Sequence, residues 1–398
     1  MNPLAFVIQR YGADVDGGAE QHCRELARRA AARWPVEILT TCARDYVTWN
    51  NSFPPGESQE DGISVRRFAV QRSRDIGSFN KSTSALLGEI APSTAAQHKW
   101  VKEQGPYCPA LLSYLARHSA SYSSVIFYTY LYYPTVYGLK LLRGRGVFVP
   151  TAHDEPVARL PIYRRVFHEA GGFLFLTEPE RQFVERRFGS AGRPQGILGT
   201  GIEAPAQLDP RGFRDRYGVR APYLFYAGRI DAGKGCAQIC DYFLQYKQTY
   251  PGPLQLLFAG KLHMELPPSP DIRYLGFLPR RELWNAYHGA LAVCASSPFE
   301  SLSLLALEAF AAGAPVLANG HCPVLAHHCA NSQAGFPYLD GQEFIELIRF
   351  LLERPGLARE LGQRGRAYIA QQYRWDRTIQ VLEDVLRQTA SLTIRQDH

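Results

Sequence analysis

A chain of 398 residues, 46% hydrophobic and 20% charged, is long enough for two domains with separate cores and too apolar to stay disordered. Its formal charge of +7 lies almost wholly in the first half, where residues 1–200 carry 24 Lys+Arg against 18 Asp+Glu. The excess is spread as pairs (Arg28-Arg29, Arg66-Arg67, Arg164-Arg165, Arg186-Arg187), which fits solvated helix faces or contact with an anionic lipid or substrate and excludes the long basic block of a nucleic-acid tail.

The opening MNPLAFVIQR lacks the basic region and apolar length of a signal peptide. No run of about 18 apolar residues is present to span a membrane; Ser124–Leu142 comes nearest and is broken by Tyr, Thr and Pro. Eight scattered cysteines read as reduced thiols rather than a disulfide framework. A cytoplasmic protein is expected. HCPVLAHHC (His321–Cys329) gathers metal-capable residues, but its spacing fits no standard zinc pattern.

In chain order, Leu4–Ile8 reads as a first strand, YGADVDGGAEQ as a Gly-rich turn, and HCRELARRAAARW as a helix. Val36–Thr41 is a second strand, and this order predicts a parallel sheet with right-handed crossovers. Asp75–His118 reads as an irregular insert with helical pieces. Val125–Tyr130, Val147–Thr151 and Phe173–Thr177 continue the sheet. A Gly- and Pro-rich stretch at Gly199–Pro222 marks a boundary, after which strands restart at Tyr223–Ala227, Leu254–Ala259, Ile272–Tyr274, Leu291–Ala295 and Pro315–Ala318. From Arg359 the chain is helical apart from a break near Tyr373–Trp375. The expected architecture is two doubly wound, Rossmann-like α/β domains facing a central cleft: residues 1–205, residues 206–370, and a helical tail, 371–398, packing back toward the first domain.

Three segments carry chemistry. AGRIDAGKG (Ala227–Gly235) nearly spells a P-loop, but Gly235 stands where a hydroxyl would hold magnesium. What remains is a cationic pair, Arg229 and Lys234, at a strand's C-terminal end, suited to a diphosphate. In SSPFESLSLLALEAF, Glu300 and Glu308 bracket an apolar run. Ser301 or Ser303 is expected to cap the helix that follows, whose N-terminal end attracts anions. The carboxylates then suit hydroxyls on either side of a diphosphate. In ADVDGGAE, Gly17 and Gly18 let backbone amides approach a phosphate or sugar. Asp14-Val15-Asp16 matches the D-x-D of metal-dependent glycosyltransferases, but it precedes a Gly turn and is read as coincidence.

The E-x7-E pair, the GR-x4-K loop and the GGAE turn together resemble the retaining glycosyltransferases of family four, which have the GT-B fold. The resemblance runs over nearly the whole chain. It implies that Glu300 meets the donor sugar, Glu308 the nucleotide ribose, and Arg229 and Lys234 the pyrophosphate. It also places Phe277, Leu278, Ser301, Leu302, Ser303 and Leu304 at the donor, and His153, in PTAHDEP, beside the donor sugar near the reaction centre. The family's common E-G-F-G-L is E-S-L-S-L here, with serine at both glycine positions. The segments GPYCPALLSYL and FYTYLYYPTVYG resemble a bacterial branch that assembles surface polysaccharide, with Tyr128 and Tyr130 on the acceptor side or, alternatively, in ordinary aromatic packing.

The expected activity is metal-independent, retaining transfer of a hexose from a UDP- or GDP-sugar to a glycan or lipid-linked acceptor, with no cofactor besides the donor. Departure of the nucleotide leaves charge on the β-phosphate, which Arg229, Lys234 and the helix end at Ser301–Leu304 stabilise. Peripheral association with an anionic membrane surface through the basic first half is also expected. A GT-B epimerase or phosphorylase, and a non-catalytic nucleotide-sugar sensor, are the alternatives. A dinucleotide dehydrogenase is excluded by the lack of G-x-G-x-x-G.

Overall fold

The computed structural model describes residues 2–396, side chains to residue 392. The chain divides into two compact units, the first ending at Thr200 and recovering the C-terminal segment from Trp375, the second spanning Gly201–Arg374.

In the first unit the elements run β1 (Leu4–Val7), α1 (Gly18–Ala30), β2 (Val36–Thr41), β3 (Gly56–Glu60), β4 (Ile63–Phe68), α2 (Ile76–Gly88), α3 (Thr94–Gln104), α4 (Pro109–His118), β5 (Ser124–Tyr128), α5 (Tyr133–Leu141), β6 (Gly146–Val149), α6 (Pro161–His168), β7 (Gly172–Phe175), α7 (Glu178–Phe188) and β8 (Gln195–Ile197). Its eight-stranded sheet has the order β3-β4-β2-β1-β5-β6-β7-β8, and every neighbouring pair is parallel except β3–β4. Strands β1, β6 and β7 are wholly buried and β5 is buried beyond its first residue, Ser124, as expected of central strands in a two-faced sheet.

The second unit contains α8 (Pro210–Tyr217), β9 (Tyr223–Ala227), α9 (Cys236–Thr249), β10 (Gln255–Ala259), β11 (Ile272–Tyr274), α10 (Arg280–Gly289), β12 (Ala292–Ala295), α11 (Leu304–Ala312), β13 (Val316–Asn319), α12 (Pro323–Ser332), β14 (Gly335–Tyr338), α13 (Gly341–Glu353) and α14 (Pro355–Gln372). Its six strands are all parallel, in the order β11-β10-β9-β12-β13-β14. The last helix, α15 (Trp375–Gln396), packs on β7, β8 and α1 of the first unit.

Two expectations are corrected. Asp75–His118 is not irregular: it forms α2, α3 and α4, because Asp75 and Ser93 cap the first two by accepting from Ser78 N and Ala96 N, and Pro109 opens the third. The β3–β4 hairpin was not anticipated at all, although Asp61-Gly62 supplies its turn with φ of 51° and 77° at the two residues.

Each sheet reverses its strand order once at its centre, between β1 and β5 and between β9 and β12. Loops leaving adjacent strands at such a switch diverge and open a crevice at the strands' C-terminal ends. This places the loop after β9 beside the loop after β12, and the loop after β1 beside those after β5 and β6.

Candidate functional site

The loop leaving β9 is folded around one carboxylate. Asp231 accepts from the backbone N–H of Lys234 at 2.8 Å and pairs with the Arg229 guanidinium. Tyr226, buried on β9, donates its hydroxyl to the Arg229 carbonyl at 2.8 Å. At the loop's end Gly235 has φ +73°, and a Cβ there would lie 2.3 Å from the Ser296 carbonyl oxygen. Only glycine allows this approach of the two switch-point loops. Ser296 completes the junction by donating Oγ–H to the Lys234 carbonyl at 2.8 Å. The result is that Lys234 Nζ meets Glu300 Oε1 at 2.7 Å, joining two residues 66 apart in sequence. Gly235→Ala is expected to cost about 2 kcal/mol of stability, from left-handed strain at a non-glycine residue. Urea unfolding of the parent and the variant measures that loss.

After Glu300 the chain makes a turn before α11 begins at Leu304. Ser303 takes the position preceding the helix but not the expected capping role: its backbone is left-handed (φ 63°, ψ 75°), and its side chain makes no cap hydrogen bond. Side-chain capping needs extended backbone at that residue. The turn is held from below by His328 on α12. Its Nε2–H donates to the Leu302 carbonyl at 2.7 Å, and Nδ1 accepts from the Tyr368 hydroxyl at 3.0 Å. His328 is fully buried, and burial pushes its pKa down to about 4, so it is neutral at pH 7.

Glu308 lies one turn inside α11 and is 5% exposed. Arg280 Nη2 bonds its Oε1 at 2.9 Å, and Tyr287 donates to Oε2 at 3.3 Å. Burial raises its pKa and Arg280 opposes the rise. Phe277, just before α10, exposes 75% of its surface, whereas Leu278 is packed inside, leaving only its backbone for a ligand.

In the first unit, Gly17 adopts φ 147° at the start of α1, where a Cβ would lie 2.1 Å from Glu20 Oε2. Glu20 turns back into the GGAE loop and accepts from Arg10 Nη2 at 2.6 Å and Gln9 Nε2 at 2.8 Å, forming a buried ion pair. No Cβ at Gly18 would meet an atom within 4 Å. His153 follows β6, partly exposed, with Nδ1 3.6 Å from Glu155 Oε1. The Tyr130 hydroxyl donates to the same Glu155 oxygen at 2.5 Å. The loop is anchored by Glu180, buried on α7, which accepts from Ala152 N at 2.7 Å and Leu176 N at 2.5 Å. Burial lifts the Glu180 pKa to about 8. Tyr132 lies in the fields of Glu20, Arg10, Arg74 and Glu155, which brings the GGAE turn and the His153 loop to one end of the sheet.

Tyr128 and Tyr130 do not line an open surface. Both are at most 1% exposed: Tyr130 belongs to the main core cluster, and Tyr128 donates to His22 Nδ1 at 3.1 Å. Their burial fits the aromatic-packing alternative: Tyr128 ends the central strand β5, and Tyr130, two residues beyond it, packs edge-on against Tyr163. Among the described residues no group of three or more His, Cys, Asp or Glu is placed to hold a metal ion. In the His321–Cys329 segment, His328 is spent on Leu302 and Tyr368.

Residues 215–368 match the family of glycosyl transferases group 1. Over 95% of its length the chain is 32% identical to a D-inositol 3-phosphate glycosyltransferase of Streptomyces bingchenggensis, covering 86% of that protein. The chain belongs to the glycosyltransferase group 1 family. A match of 27% identity over 215 residues takes in 49% of the chain and about half (54%) of the putative glycosyltransferase EpsD of Bacillus subtilis. The structure of Anabaena HepE in complex with UDP superposes with a TM-score of 0.71 at 14% identity, covering 98% of this chain and 100% of that one. The fold is therefore GT-B, with two parallel-sheet Rossmann-like domains.

Within this glycosyltransferase the structure also makes sense of the serine substitutions. Ser303 stands where the family pattern has glycine, and its left-handed backbone is the conformation glycine tolerates without strain. Ser303→Gly is expected to raise stability by up to about 1 kcal/mol, measured by urea unfolding. Four residues escaped the sequence reading. Arg10 and Glu20 pair across a turn, and Glu180 and His328 bind backbone far away in sequence. Thr129 and Thr151, just after β5 and β6, are further outliers, with φ of 65° and 50° at β-branched residues.

Proposed function

We propose that this glycosyltransferase moves a hexose from a UDP- or GDP-linked donor to a glycan or lipid-linked acceptor, retaining the anomeric configuration and needing no metal, in the assembly of a cell-surface polysaccharide. The observation that carries this reading is the 2.7 Å contact between Lys234 and Glu300, beside Arg229 and the start of α11. In the bound state the donor exchanges for that contact: the diphosphate takes Lys234 and Arg229, and the sugar hydroxyls take Glu300. Glu308 is assigned to the ribose, with Arg280 and Tyr287 fixing its carboxylate. His153 is included at the sugar on the family resemblance alone.

The bond between the anomeric carbon and the β-phosphate oxygen breaks as the acceptor oxygen adds from the same face. The acceptor's proton passes to the departing phosphate. Two side-chain cations and the first amides of α11 take up the negative charge that develops there. The positive charge thus comes from the protein itself, and activity should persist in excess EDTA. HepE, bound to UDP, supports a uridine donor as the first to try. No helix among the described residues is long and apolar enough to cross a membrane. The reading places the enzyme in the cytoplasm, meeting its acceptor at an anionic surface. The test is transfer from UDP-, GDP- and ADP-sugars to mixed glycan and lipid acceptors, with the product anomer assigned by NMR. An inverted product, or a strict metal requirement, contradicts the proposal.

A further inference from the structure

The cationic pairs along the first unit are largely neutralised by neighbours. Arg28 meets Glu25 at 3.1 Å, Arg66 meets Glu37 at 2.9 Å, Arg67 is buried against Glu60, and Arg165 lies 3.4 Å from Glu169. Other cations stand at a cleft of about 520 Å³ between α3 and the segment after β4. Arg72, His98 and Lys102 line it together with Tyr107. Among the described residues, no acid lies within ion-pair distance of Arg72, Lys102 or Lys140, the last on α5. Arg72 instead lies over the Tyr107 ring, 5.3 Å from its centroid, which fixes the guanidinium at the cleft wall. Glu103, the one acidic residue in the lining, is engaged by Ser82 at 2.7 Å and Lys99 at 3.7 Å.

His98 supplies direction. It is half-buried, its Nδ1 bonded to the Tyr137 hydroxyl at 2.7 Å and its ring stacked on Tyr137. In the tautomer in which Nδ1 accepts from the phenol, Nε2 carries the hydrogen, and among the described residues it has no hydrogen-bond partner. We propose that this cleft binds a phosphate group, with Arg72, Lys102 and Lys140 supplying charge and His98 Nε2–H supplying a directed hydrogen bond. This site is independent of the transferase chemistry. Phosphate on a lipid headgroup and phosphate on a soluble ligand share the recognition.

The groups around His98 give the site a proton linkage. Burial, then Arg165, Lys102 and Lys140, hold its pKa below the usual histidine value, and Lys99, Glu103, Arg72 and Tyr137 complete its surroundings. A bound oxyanion offsets those cations and favours the imidazolium. Binding therefore takes up a proton and tightens as pH falls.

The experiment uses the full chain and the triple variant Arg72→Ala/Lys102→Ala/Lys140→Ala. A charge-matched control, Arg211→Ala/Arg220→Ala/Arg359→Ala, removes exposed cations from the second unit. Inorganic phosphate and sulfate are titrated by calorimetry, and retention is measured on phosphatidylglycerol and phosphatidylcholine vesicles. The triple variant should bind phosphate at least tenfold more weakly, while the control and the UDP affinity of both variants stay unchanged. Sulfate, whose charge is constant over the range, should bind more tightly at pH 6 than at pH 8, and His98→Gln should flatten that dependence. Selective retention on phosphatidylglycerol, reversed by phosphate, identifies a lipid headgroup; phosphate binding without retention identifies a soluble phosphorylated ligand. Equal losses in the triple and control variants, or no phosphate binding by the parent chain, overturn the proposal. Because UDP binding is read separately, failure of the transferase reading shows as its own outcome.

Discussion

Lys234→Ala should lower turnover by on the order of 10²–10³, the scale of losing one preorganised group aimed at developing charge. In the proposed mechanism the ammonium meets the growing phosphate charge, and its base is fixed: the Lys234 backbone N–H is bound by Asp231 and its carbonyl by Ser296. The effect should fall on the chemical step rather than the fold. Both side chains of the Lys234–Glu300 pair keep some solvent access, at 30% and 19% exposure, so water can solvate Glu300 once its partner is gone. Single-turnover kinetics beside a melting curve checks this. A folded variant with near-normal turnover contradicts the leaving-group role.

The second large effect is on stability and depends on pH. His328 is fully buried with a folded pKa of about 4 against an ordinary value of 6.5. A base with a depressed folded pKa gives stability that is complete above the unfolded pKa and is lost as pH falls toward the folded one. At 1.36 kcal/mol per pKa unit, the parent loses about 2 kcal/mol from this group between pH 6.5 and 4.5. His328→Gln removes that loss along with the hydrogen bond to Leu302. The variant should therefore be less stable than the parent at pH 7.5, and the gap should close by about 2.5 kcal/mol at pH 4.5. Comparing the two proteins by urea unfolding cancels opposing groups such as Glu180, whose raised pKa works in the other direction. A gap independent of pH would mean that His328 is protonated in the fold.

What was legible in the sequence follows from which interactions are local. Val36–Thr41, Tyr223–Ala227 and Ile272–Tyr274 were read to the residue, because short apolar runs bounded by Pro and Gly leave little choice of boundary. The Arg229–Lys234 loop and the two glutamates stood out because cations and carboxylates beside apolar runs are conspicuous. The helices between Asp75 and His118 are legible only as helical pieces without bounds, because their faces are polar and their apolar spacing weak; the caps at Asp75 and Ser93 were the available signal. Asp61-Gly62 was a stronger one, overlooked although it is a standard hairpin dipeptide. Glu180 and His328 were beyond reach: each binds backbone on another element, and such pairing exists only once the sheet order is known. For Tyr128 and Tyr130 the sequence left an acceptor-side role and aromatic packing both open, because the burial of both rings follows only from the assembled sheet and the elements packed on it.

The most direct test of the central claim is calorimetric binding of UDP-, GDP- and ADP-sugars to the parent chain and to Arg229→Ala/Lys234→Ala. The account predicts that one nucleotide class binds the parent and that the double variant binds it at least tenfold more weakly at unchanged melting temperature. Equal affinity in the two proteins, or no binding of any nucleotide diphosphate to the parent, would contradict it.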